Sequence, residues 1–533
     1  MKKGFKIGAL SIKSWMPNFR LLILICLCFA KFSVNAKVNM VKNGADNKGV
    51  VICTSIINST IDSLFSVGGG ELFFPVGLYL TGPIELKSNI TINLEAGAVL
   101  KFTDNFDDYL PMVDSRWEGV RVKNFKSPIY AHNATNITIK GRGMIDGSGE
   151  KWWNFWWPLH RGEISKNSKW EQLFYNNNKE LIEKNAYLRK MGNFLRPPLF
   201  MSYECNNVRV EGVSFKNPPF WTIMPAFSEN VTINGITIIN PKDSPNTDGI
   251  DPSSCKNVRI SNCHISVGDD CIVIKSGRDE DGREANMPTE NITITNCTML
   301  DGHGGVVIGS EMSGSVRRVT ISNCVFEGTD RGIRIKTMRG RGGVVEDIRV
   351  SNIIMYDIKK QAVMINMHYH DTPDEHVSER TPAIRNVFIS NVRINNAEQA
   401  VAIYGLTERD AANITFNDVF ASTNNGVVGN HASGVSFSNL QIESENKEPF
   451  RFTNSSNLEF RNVKILNPKF SNYAFSFQDC DNVLIKDCFQ VQPIENYVYA
   501  EKCNPVIILN NILTSVENVI VPIDSKFVVK DNY

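Results

Sequence analysis

Short alternations of apolar and polar residues recur along most of the chain, and each is bounded by Gly, Asn or Asp. They begin near Gly68, and helical periodicity is nearly absent there. Further on they take the degenerate form Asn-(Val/Ile)-x-(Ile/Val/Phe), mostly repeated about 21 to 29 residues apart. The units begin at Asn136, Asn207, Asn230, Asn257, Asn291, Arg318, Asp347, Asn386, Asn413, Gly434, Asn457 and Asn482.

A unit of that length, built from strands without an intervening helix, predicts coils stacked on coils. The expected fold is all-β, a single-stranded right-handed parallel β-helix. A leucine-rich repeat would need a leucine framework, which is missing, and a propeller would need a longer unit. Ile57, Ile61 and Leu64, at helical spacing within residues 47–65, predict an N-terminal capping helix. The repeated Asn residues should stack in turns and bond neighbouring backbone.

One segment, about residues 150–196, breaks the pattern. It opens with a tryptophan-rich run, Trp152–Pro158, and continues as a Lys- and Glu-rich stretch to about Met191. We expect a projection with short helices. The tryptophans either stack on sugar rings or pack this insertion onto the solenoid, and both interpretations stay open.

The N-terminus predicts export. A basic stretch, an apolar run of about ten residues (Leu21–Ala30) and small residues before Lys37 are typical of a secretory signal peptide. We assign residues 1–36 to that signal and residues 37–533 to one catalytic domain; a signal anchor is the alternative. Removing the signal moves the formal charge from +1 to about −5. No basic tract suggests a nucleic-acid partner, and we expect a secreted monomer without stable membrane association.

Two of the 12 cysteines fall in the signal. Several others share one place in the repeat, as in Asn262-Cys263 and Asn296-Cys297, which predicts small buried side chains stacked along the interior. CxxC pairs are missing, so a zinc site is not expected. Disulfide pairing stays open.

Four polar clusters lie between Asn246 and Lys336, near the ends of predicted strands. They are Asn246-Thr247-Asp248-Gly249, Gly268-Asp269-Asp270-Cys271, Gly302-His303-Gly304-Gly305 and Arg334-Ile335-Lys336. Adjacent coils lie about 4.8 Å apart, so the three aspartates should come close together. Like charges at that range raise at least one carboxyl pKa, which suits a general acid and a base that cleave a glycosidic bond.

Each polar cluster also has a purely structural explanation. The aspartates and the histidine at position 303 could be ordinary turn residues, and Arg334 and Lys336 could form salt bridges on a surface strand. Each motif alone is weak, but their ordered occurrence on successive coils is specific. Arg334 and Lys336, two apart on a strand, face one side and suit the carboxylate of a uronic acid.

With these clusters in order, the sequence resembles the polygalacturonases of glycoside hydrolase family 28 over essentially the whole mature chain. The resemblance implies an inverting hydrolase of α-1,4-galacturonosyl linkages in pectin that needs neither cofactor nor metal. The implied roles are proton donation by Asp269, water activation by Asp248 and Asp270, support of the acid by His303, and substrate binding by Arg334, Lys336, Asn246 and Tyr404.

Departures from the family pattern also matter. Many members have His where this chain has Met224, so one contact in the site wall should differ. The segments Ser276–Glu290 and Gly309–Gly314 are similar to branches associated with exo-action. With the tryptophan-rich insertion they should close one end of the groove, which favours release of galacturonate from chain ends.

Three other functions remain open. One is hydrolysis of rhamnogalacturonan or xylogalacturonan on the same scaffold. Another is a pectate lyase, which would need calcium and an arginine base and would form an ultraviolet-absorbing product. The last is a non-catalytic glycan-binding or structural solenoid, which would bind uronic polymers without turnover.

Overall fold

The computed structural model describes residues 36–161, 168–445, 448–467, 472–490, 492–513 and 516–533. The predicted signal peptide lies outside the described residues up to position 35. Within these ranges the strands form a 32-stranded sheet, a four-stranded sheet and a two-stranded hairpin. Except in the hairpin, each strand pairs in parallel with its equivalent on the next coil, which confirms the parallel β-helix.

The coils stack into three rows. The asparagine row contains β1 (Ala36–Asn39), β2 (Gly70–Phe74), β5 (Ile90–Leu94), β10 (Thr135–Gly141), β13 (Asn206–Glu211), β16 (Glu229–Asn234), β18 (Lys256–Ser261), β21 (Thr289–Thr295), β33 (Asp481–Lys486), β36 (Asn504–Leu509) and β38 (Phe527–Lys530). The third row contains β3 (Gly77–Thr81), β6 (Ala98–Phe102), β11 (Met144–Asp146), β14 (Ser214–Lys216), β17 (Thr237–Ile239), β19 (His264–Val267), β22 (Thr298–Asp301) and β34 (Phe489–Gln490).

The groove row carries the candidate site. It contains β4 (Ile84–Leu86), β9 (Ile129–His132), β12 (Phe200–Tyr203), β15 (Ile223–Ala226), β20 (Asp270–Ile274), β23 (Gly304–Ile308), β25 (Ile333–Lys336), β30 (Phe450–Thr453), β32 (Tyr473–Gln478), β35 (Ile494–Glu501) and β37 (Val516–Ile523). Longer strands bend through more than one row: β24 (Val316–Glu327), β26 (Val344–Asn366), β27 (Ala383–Tyr404), β28 (Ala411–Asn430), β29 (Ala432–Ser444) and β31 (Ser456–Asn467).

Alternate residues of each strand point into the solenoid and stack on their counterparts. In the groove row, Ile250, Ile272, Val306 and Ile333 are successive register partners, and all are buried. In each of these strands, the residues that alternate with the buried ones face outward, toward the groove. A coil therefore buries its apolar side chains only against its neighbours, and burial of this row fixes the register on which the site depends.

Asparagines hold the turns of the asparagine row. Asn136, Asn207 and Asn257 have φ of 59°, 56° and 58°, in the left-handed region that Asn tolerates better than other side-chain-bearing residues. Asn207 Nδ2 donates to Asn136 Oδ1 (2.7 Å), and Asn291 Nδ2 donates to Asn257 Oδ1 (3.0 Å). The predicted stacking is present, but the bonds join side-chain amides of successive coils rather than an amide and the backbone.

The predicted capping helix forms at the N-terminal end. Helix α1 (Thr54–Ser66) begins later than the segment that predicted it and buries Ile57, Ile61 and Leu64. Asn58 Nδ2 donates to the carbonyl oxygen of Pro83 (3.0 Å), which ties the helix to the second coil. The helix thus covers apolar positions that have no preceding coil to pack against.

The insertion forms α2 (Glu150–Arg161), α3 (Lys169–Lys184) and α4 (Ala186–Met191). The Trp152 side chain is fully buried, with ring centroids 4.3 Å from Phe106 and 5.3 Å from Phe125. Trp153 and Trp156 are also buried. These three tryptophans therefore pack the insertion onto the solenoid, and Trp157 is the one tryptophan of this run that is partly exposed.

The other local elements are a 3₁₀ helix (Phe106–Tyr109), helix α5 (Asp279–Ala285) and the antiparallel hairpin of β7 (Val113–Trp117) and β8 (Val120–Asn124). All ten cysteines of the described residues are buried and free, which confirms the burial predicted for those that share one place in the repeat. Among the described helices, none combines the length and apolarity needed to cross a membrane.

Candidate active site

The four polar clusters meet on the outer side of the groove row. Ile250 and Ile272 are register partners on consecutive coils. Asp248 lies two residues before Ile250, and Asp270, the first residue of β20, lies two residues before Ile272. Both aspartates therefore reach the same edge of consecutive coils. Glycine at position 304 keeps this edge open, because a Cβ there would lie 3.1 Å from Asp270 Oδ1.

Three carboxylates form the centre of the site. One oxygen each from Asp248, Asp269 and Asp270 lies within 4.8 Å of the others, which matches one coil spacing. Asp248 and Asp270 are buried, whereas the Asp269 side chain is 19% exposed. This separation is shorter than the roughly 6.5 to 9.5 Å typical of an inverting pair, so distance alone does not define the stereochemistry.

Asp270 is the carboxylate whose negative charge is best secured. Lys336 Nζ lies 2.8 Å from its Oδ2, and both side chains are buried. Burial acts to raise the pKa of Asp270, but the positive charges of Lys336 and Arg334 outweigh it, and the net shift is downward. Asp270 Oδ1 is buried and has no hydrogen-bond partner among the described residues.

Asp248 has the opposite electrostatics. Burial, followed by the negative charge of Asp269, raises the pKa of Asp248 well above its ordinary value. Its Oδ1 has no partner in the described part of the chain. Asp251, three residues further on, is fully buried with a pKa raised by burial, and neither carboxyl oxygen has a described partner. The cluster therefore retains protons that isolated carboxylates would lose.

His303 lies against the most exposed aspartate. Its Nδ1 is 3.0 Å from Asp269 Oδ1, and its backbone N–H donates to the Asp269 carbonyl oxygen (2.9 Å). The hydrogen bond to Asp269 is the main cause of a raised pKa for His303. The side chain is 53% exposed, so this pair can exchange protons with solvent.

Arg334 and Lys336 project from β25 to the same side, as their spacing predicts. The Tyr369 ring centroid lies 5.6 Å from Arg334 Cζ and 5.3 Å from Lys336 Nζ. Lys336 is engaged by Asp270, whereas Arg334 Nε has no partner among the described residues. Of the predicted pair, Arg334 is therefore the cation available for a substrate carboxylate.

Asn246 is held at the rim of the site. It has φ of 52°, and its Oδ1 accepts a hydrogen bond from Arg196 Nη2 (2.8 Å). Arg196 is buried, donates to the carbonyl oxygen of Pro245 (2.7 Å) and lies 4.3 Å from the Trp156 ring centroid. The tryptophan-rich insertion thus orients Asn246 through a buried arginine.

Tyr404 is not brought to the carboxylates. It ends β27 as the register partner of Asn366, which pairs in turn with Lys336. Tyr404 is therefore two coils, or about 10 Å, beyond Lys336. It lines a separate cavity of about 220 Å³ with Gln399 and Arg451.

A wall of charged and aromatic side chains closes the N-terminal side of the carboxylate cleft. Arg278 Nη2 lies 2.9 Å from Glu118 Oε2 in the hairpin turn and 2.7 Å from Glu311 Oε1. Its guanidinium lies 3.6 Å from the ring centroid of Tyr187 in α4, and the Tyr187 hydroxyl contacts Glu118. Lys275 Nζ lies 3.2 Å from Glu311 Oε2.

The coils behind this wall are covered. Their outward groove-row residues, Tyr130, Met201 and Met224, are buried in an apolar cluster with Trp117 of the hairpin and Phe174 of α3. Met224, at which the sequence predicts an altered contact in the site wall, is therefore packed beneath the wall. The segments that predicted a closed end, residues 276–290 and 309–314, supply Arg278 and Glu311 to it.

The three aspartates are also the one group of three potential metal ligands that converges within the described ranges. Lys336 places a positive charge 2.8 Å from one of their oxygens, which opposes a cation at Asp270. The set fits proton transfer better than metal binding.

Three carboxylates clustered in the groove of a parallel β-helix can supply the acid and the base that a glycosidase needs. The model of glycosyl hydrolases family 28 matches residues 183–439. A probable polygalacturonase from Vitis vinifera is 30% identical over 409 residues, covering 74% of this chain and 77% of the relative. An exo-poly-alpha-D-galacturonosidase from Dickeya chrysanthemi is 26% identical over 445 residues, covering 78% and 72%.

The crystal structure of a hyperthermoactive exopolygalacturonase from Thermotoga maritima is also similar, with 36% identity and a TM-score of 0.66. The match covers 74% of this chain and 87% of that one. The chain belongs to glycosyl hydrolases family 28, and its solenoid is the right-handed parallel β-helix of these enzymes.

Proposed function

We propose that residues 37–533, released from the signal peptide of residues 1–36, form a secreted monomeric exo-hydrolase of α-1,4-galacturonan. The observation that carries this proposal is the carboxylate cluster at a groove end closed by Glu118, Tyr187 and Arg278. The relatives named for galacturonan cleavage support the same substrate class.

Asp269 acts as the proton donor in this proposal. It is the most exposed carboxyl group of the cluster, so a glycosidic oxygen can reach it, and His303 shares its proton. Lys336 keeps Asp270 ionised. Asp270 and Asp248 each have one oxygen without a partner among the described residues, and these two oxygens can accept hydrogen bonds from one water. Water held on the side opposite the donor attacks directly, which inverts the anomeric centre.

Substrate orientation falls to the groove beyond the carboxylates. Arg334, which is half-buried and has no ion pair among the described residues, binds the carboxylate of the galacturonate residue next to the cleaved bond. Lys336 contributes through its positive charge and holds Asp270 in place. The Tyr369 ring supports both cations, and Asn246 binds a sugar hydroxyl at the rim.

The closed wall explains action from a chain end. A polymer cannot continue past Tyr187 and Arg278, because the coils behind them lie under the hairpin and α3. The substrate enters from the C-terminal side, and only a terminal segment passes beyond the carboxylates. Every cleavage then releases a short product.

Product analysis tests this proposal. On polygalacturonic acid with a chelator present, we expect monomer or dimer from the first time point, formed initially as the inverted β-anomer in proton NMR. The enzyme should come from the medium of a secreting host, and its N-terminal sequence should begin at Lys37. An early ladder of intermediate oligomers would exclude exo-action, and an initial α-anomer would exclude inversion.

If polygalacturonate gives no product, the same assay on rhamnogalacturonan and xylogalacturonan distinguishes a sister specificity from loss of catalysis. Binding to all three polymers without turnover would identify a glycan-binding solenoid.

His303→Gln should move the alkaline limb of the kcat/KM profile to lower pH. The Asp269–His303 pair holds the catalytic proton, and the hydrogen bond to Asp269, which raises the pKa of His303, keeps that proton bound to higher pH than an isolated imidazole would. Without the imidazole, the limb should fall by about one pH unit. Profiles measured at constant ionic strength between pH 4 and 9 provide the test.

His264→Gln is the matched control, because His264 is exposed on the third row. It should leave the profile unchanged. An unaltered alkaline limb in His303→Gln would remove His303 from the proton-holding pair.

A further inference from the structure

The outward side chains of the groove row continue well beyond the carboxylates. The register places Arg334 opposite Met364, Met364 opposite Ala402, Ala402 opposite Val428 and Val428 opposite Arg451. Four coil spacings separate the two arginines, or about 19 Å. Arg451 therefore occupies the same outward row as Arg334, on the side from which the polymer enters.

Arg451 is available to a ligand. Its side chain is exposed, and no hydrogen bond or ion pair joins it to the described residues. It opens into the cavity of about 220 Å³ that Tyr404 lines, together with Gln399, Asn425 and Glu448. Tyr404 is half-buried, and the positive charge of Arg451 acts on its hydroxyl group.

We propose that Tyr404 and Arg451 form a distal subsite for a second uronate residue of the same polymer. The guanidinium binds the sugar carboxylate through paired N–H donors, and the tyrosine ring packs against the sugar face. Gln399 and Asn425 supply amide groups for sugar hydroxyls. This inference rests on the proposed galacturonan hydrolysis and extends its recognition about 19 Å from Arg334.

Glu448 gives the subsite a feature that an uncharged groove would not have. Glu448 lines the same cavity, and its negative charge would repel an incoming uronate. Removing Arg451 and removing Glu448 should therefore have opposite effects on long substrates.

The test compares kcat/KM on galacturonate oligomers of increasing length and on the polymer. In the native enzyme, kcat/KM should rise with length until the oligomer spans both arginines. Arg451→Ala should lower the long-to-short ratio of kcat/KM about fivefold, mainly through KM, and Glu448→Gln should raise it. Added salt should reduce both effects, because the interaction is exposed.

Arg393→Ala is the matched control. Arg393 is exposed on the same long strand as Tyr404 but faces away from the groove, over the Phe420 ring at 4.2 Å. The substitution Arg393→Ala removes the same charge from the protein and should leave the long-to-short ratio of kcat/KM unchanged.

The outcomes separate the subsite from the proposed function. Hydrolysis of short oligomers by the native enzyme establishes the function whether or not Arg451 matters. An unchanged ratio in Arg451→Ala, or an equal loss on short and long substrates, would overturn the subsite alone. Absence of hydrolysis on every galacturonate oligomer would overturn both.

Discussion

Asp269→Asn should lower kcat on polygalacturonate by about three orders of magnitude, with little change in KM. The amide keeps the size of the side chain but has no proton to give to the departing sugar oxygen. An aryl galacturonoside with an acidic phenol needs little protonation, so its hydrolysis should fall less than about tenfold. Steady-state kinetics on the two substrates therefore identify the proton donor.

Asp270→Asn gives the contrasting result, because a base is needed whatever the leaving group. It should slow both substrates to a similar degree. Asp481→Asn, on an exposed residue of the asparagine row, makes the same chemical change far from the groove and should have no effect. Equal losses on both substrates in Asp269→Asn would argue that Asp269 is not the acid.

Lys336→Met should be the most destabilising single change at the site. It removes one partner of a buried ion pair and leaves the Asp270 carboxylate without a compensating charge. Breaking such a pair costs about 3 to 5 kcal/mol. The additional change Asp270→Asn should recover most of that stability in denaturant titrations, while activity stays lost in both variants.

Lys360→Met serves as the control, because Lys360 pairs with Asp330 at 2.7 Å but is half exposed. Its loss should cost less than about 1 kcal/mol. If Lys336→Met is no more destabilised than this control, the buried pair does not support the fold.

The pH dependence of stability gives Lys336→Met a second signature. The pKa of Asp270 in the folded enzyme is below its unfolded value, about 3.9. The stabilisation is therefore present above that pH and is lost as pH falls through the lower folded pKa. In Lys336→Met the sign reverses, since protonation removes a buried unpaired charge, and the variant should gain stability on acidification.

The fold was accessible from the sequence because a solenoid repeats its local rules. Each Asn at a left-handed turn and each apolar alternation specifies one coil, and stacking follows from the period. The carboxylate cluster was accessible for the same reason, since residues at equivalent places of consecutive coils must meet. Asp251 could have been assigned to the site in the same way. It follows the inward-facing Ile250, as Arg334 follows Ile333, so both residues lie in the outward row.

The walls of the site could not be predicted in this way. Glu118 and Tyr187 come from a hairpin and an insertion that lie outside the repeat, and Tyr369 comes from the connection between β26 and β27. Their positions depend on tertiary packing, which no local period encodes. Tyr404 can be placed by counting coils, since it lies two coils beyond Lys336, and its role in substrate binding stays a prediction.

Uniform stacking has a consequence for substrate selection. Every coil between Arg334 and Arg451 adds the same rise, so the span of the groove is counted in whole coils. The distance between the two arginines can therefore change only in steps of one coil spacing. Gain or loss of one complete coil would change the polymer length that spans both arginines by one coil spacing. A single-residue insertion would instead break the strand register without creating a new span.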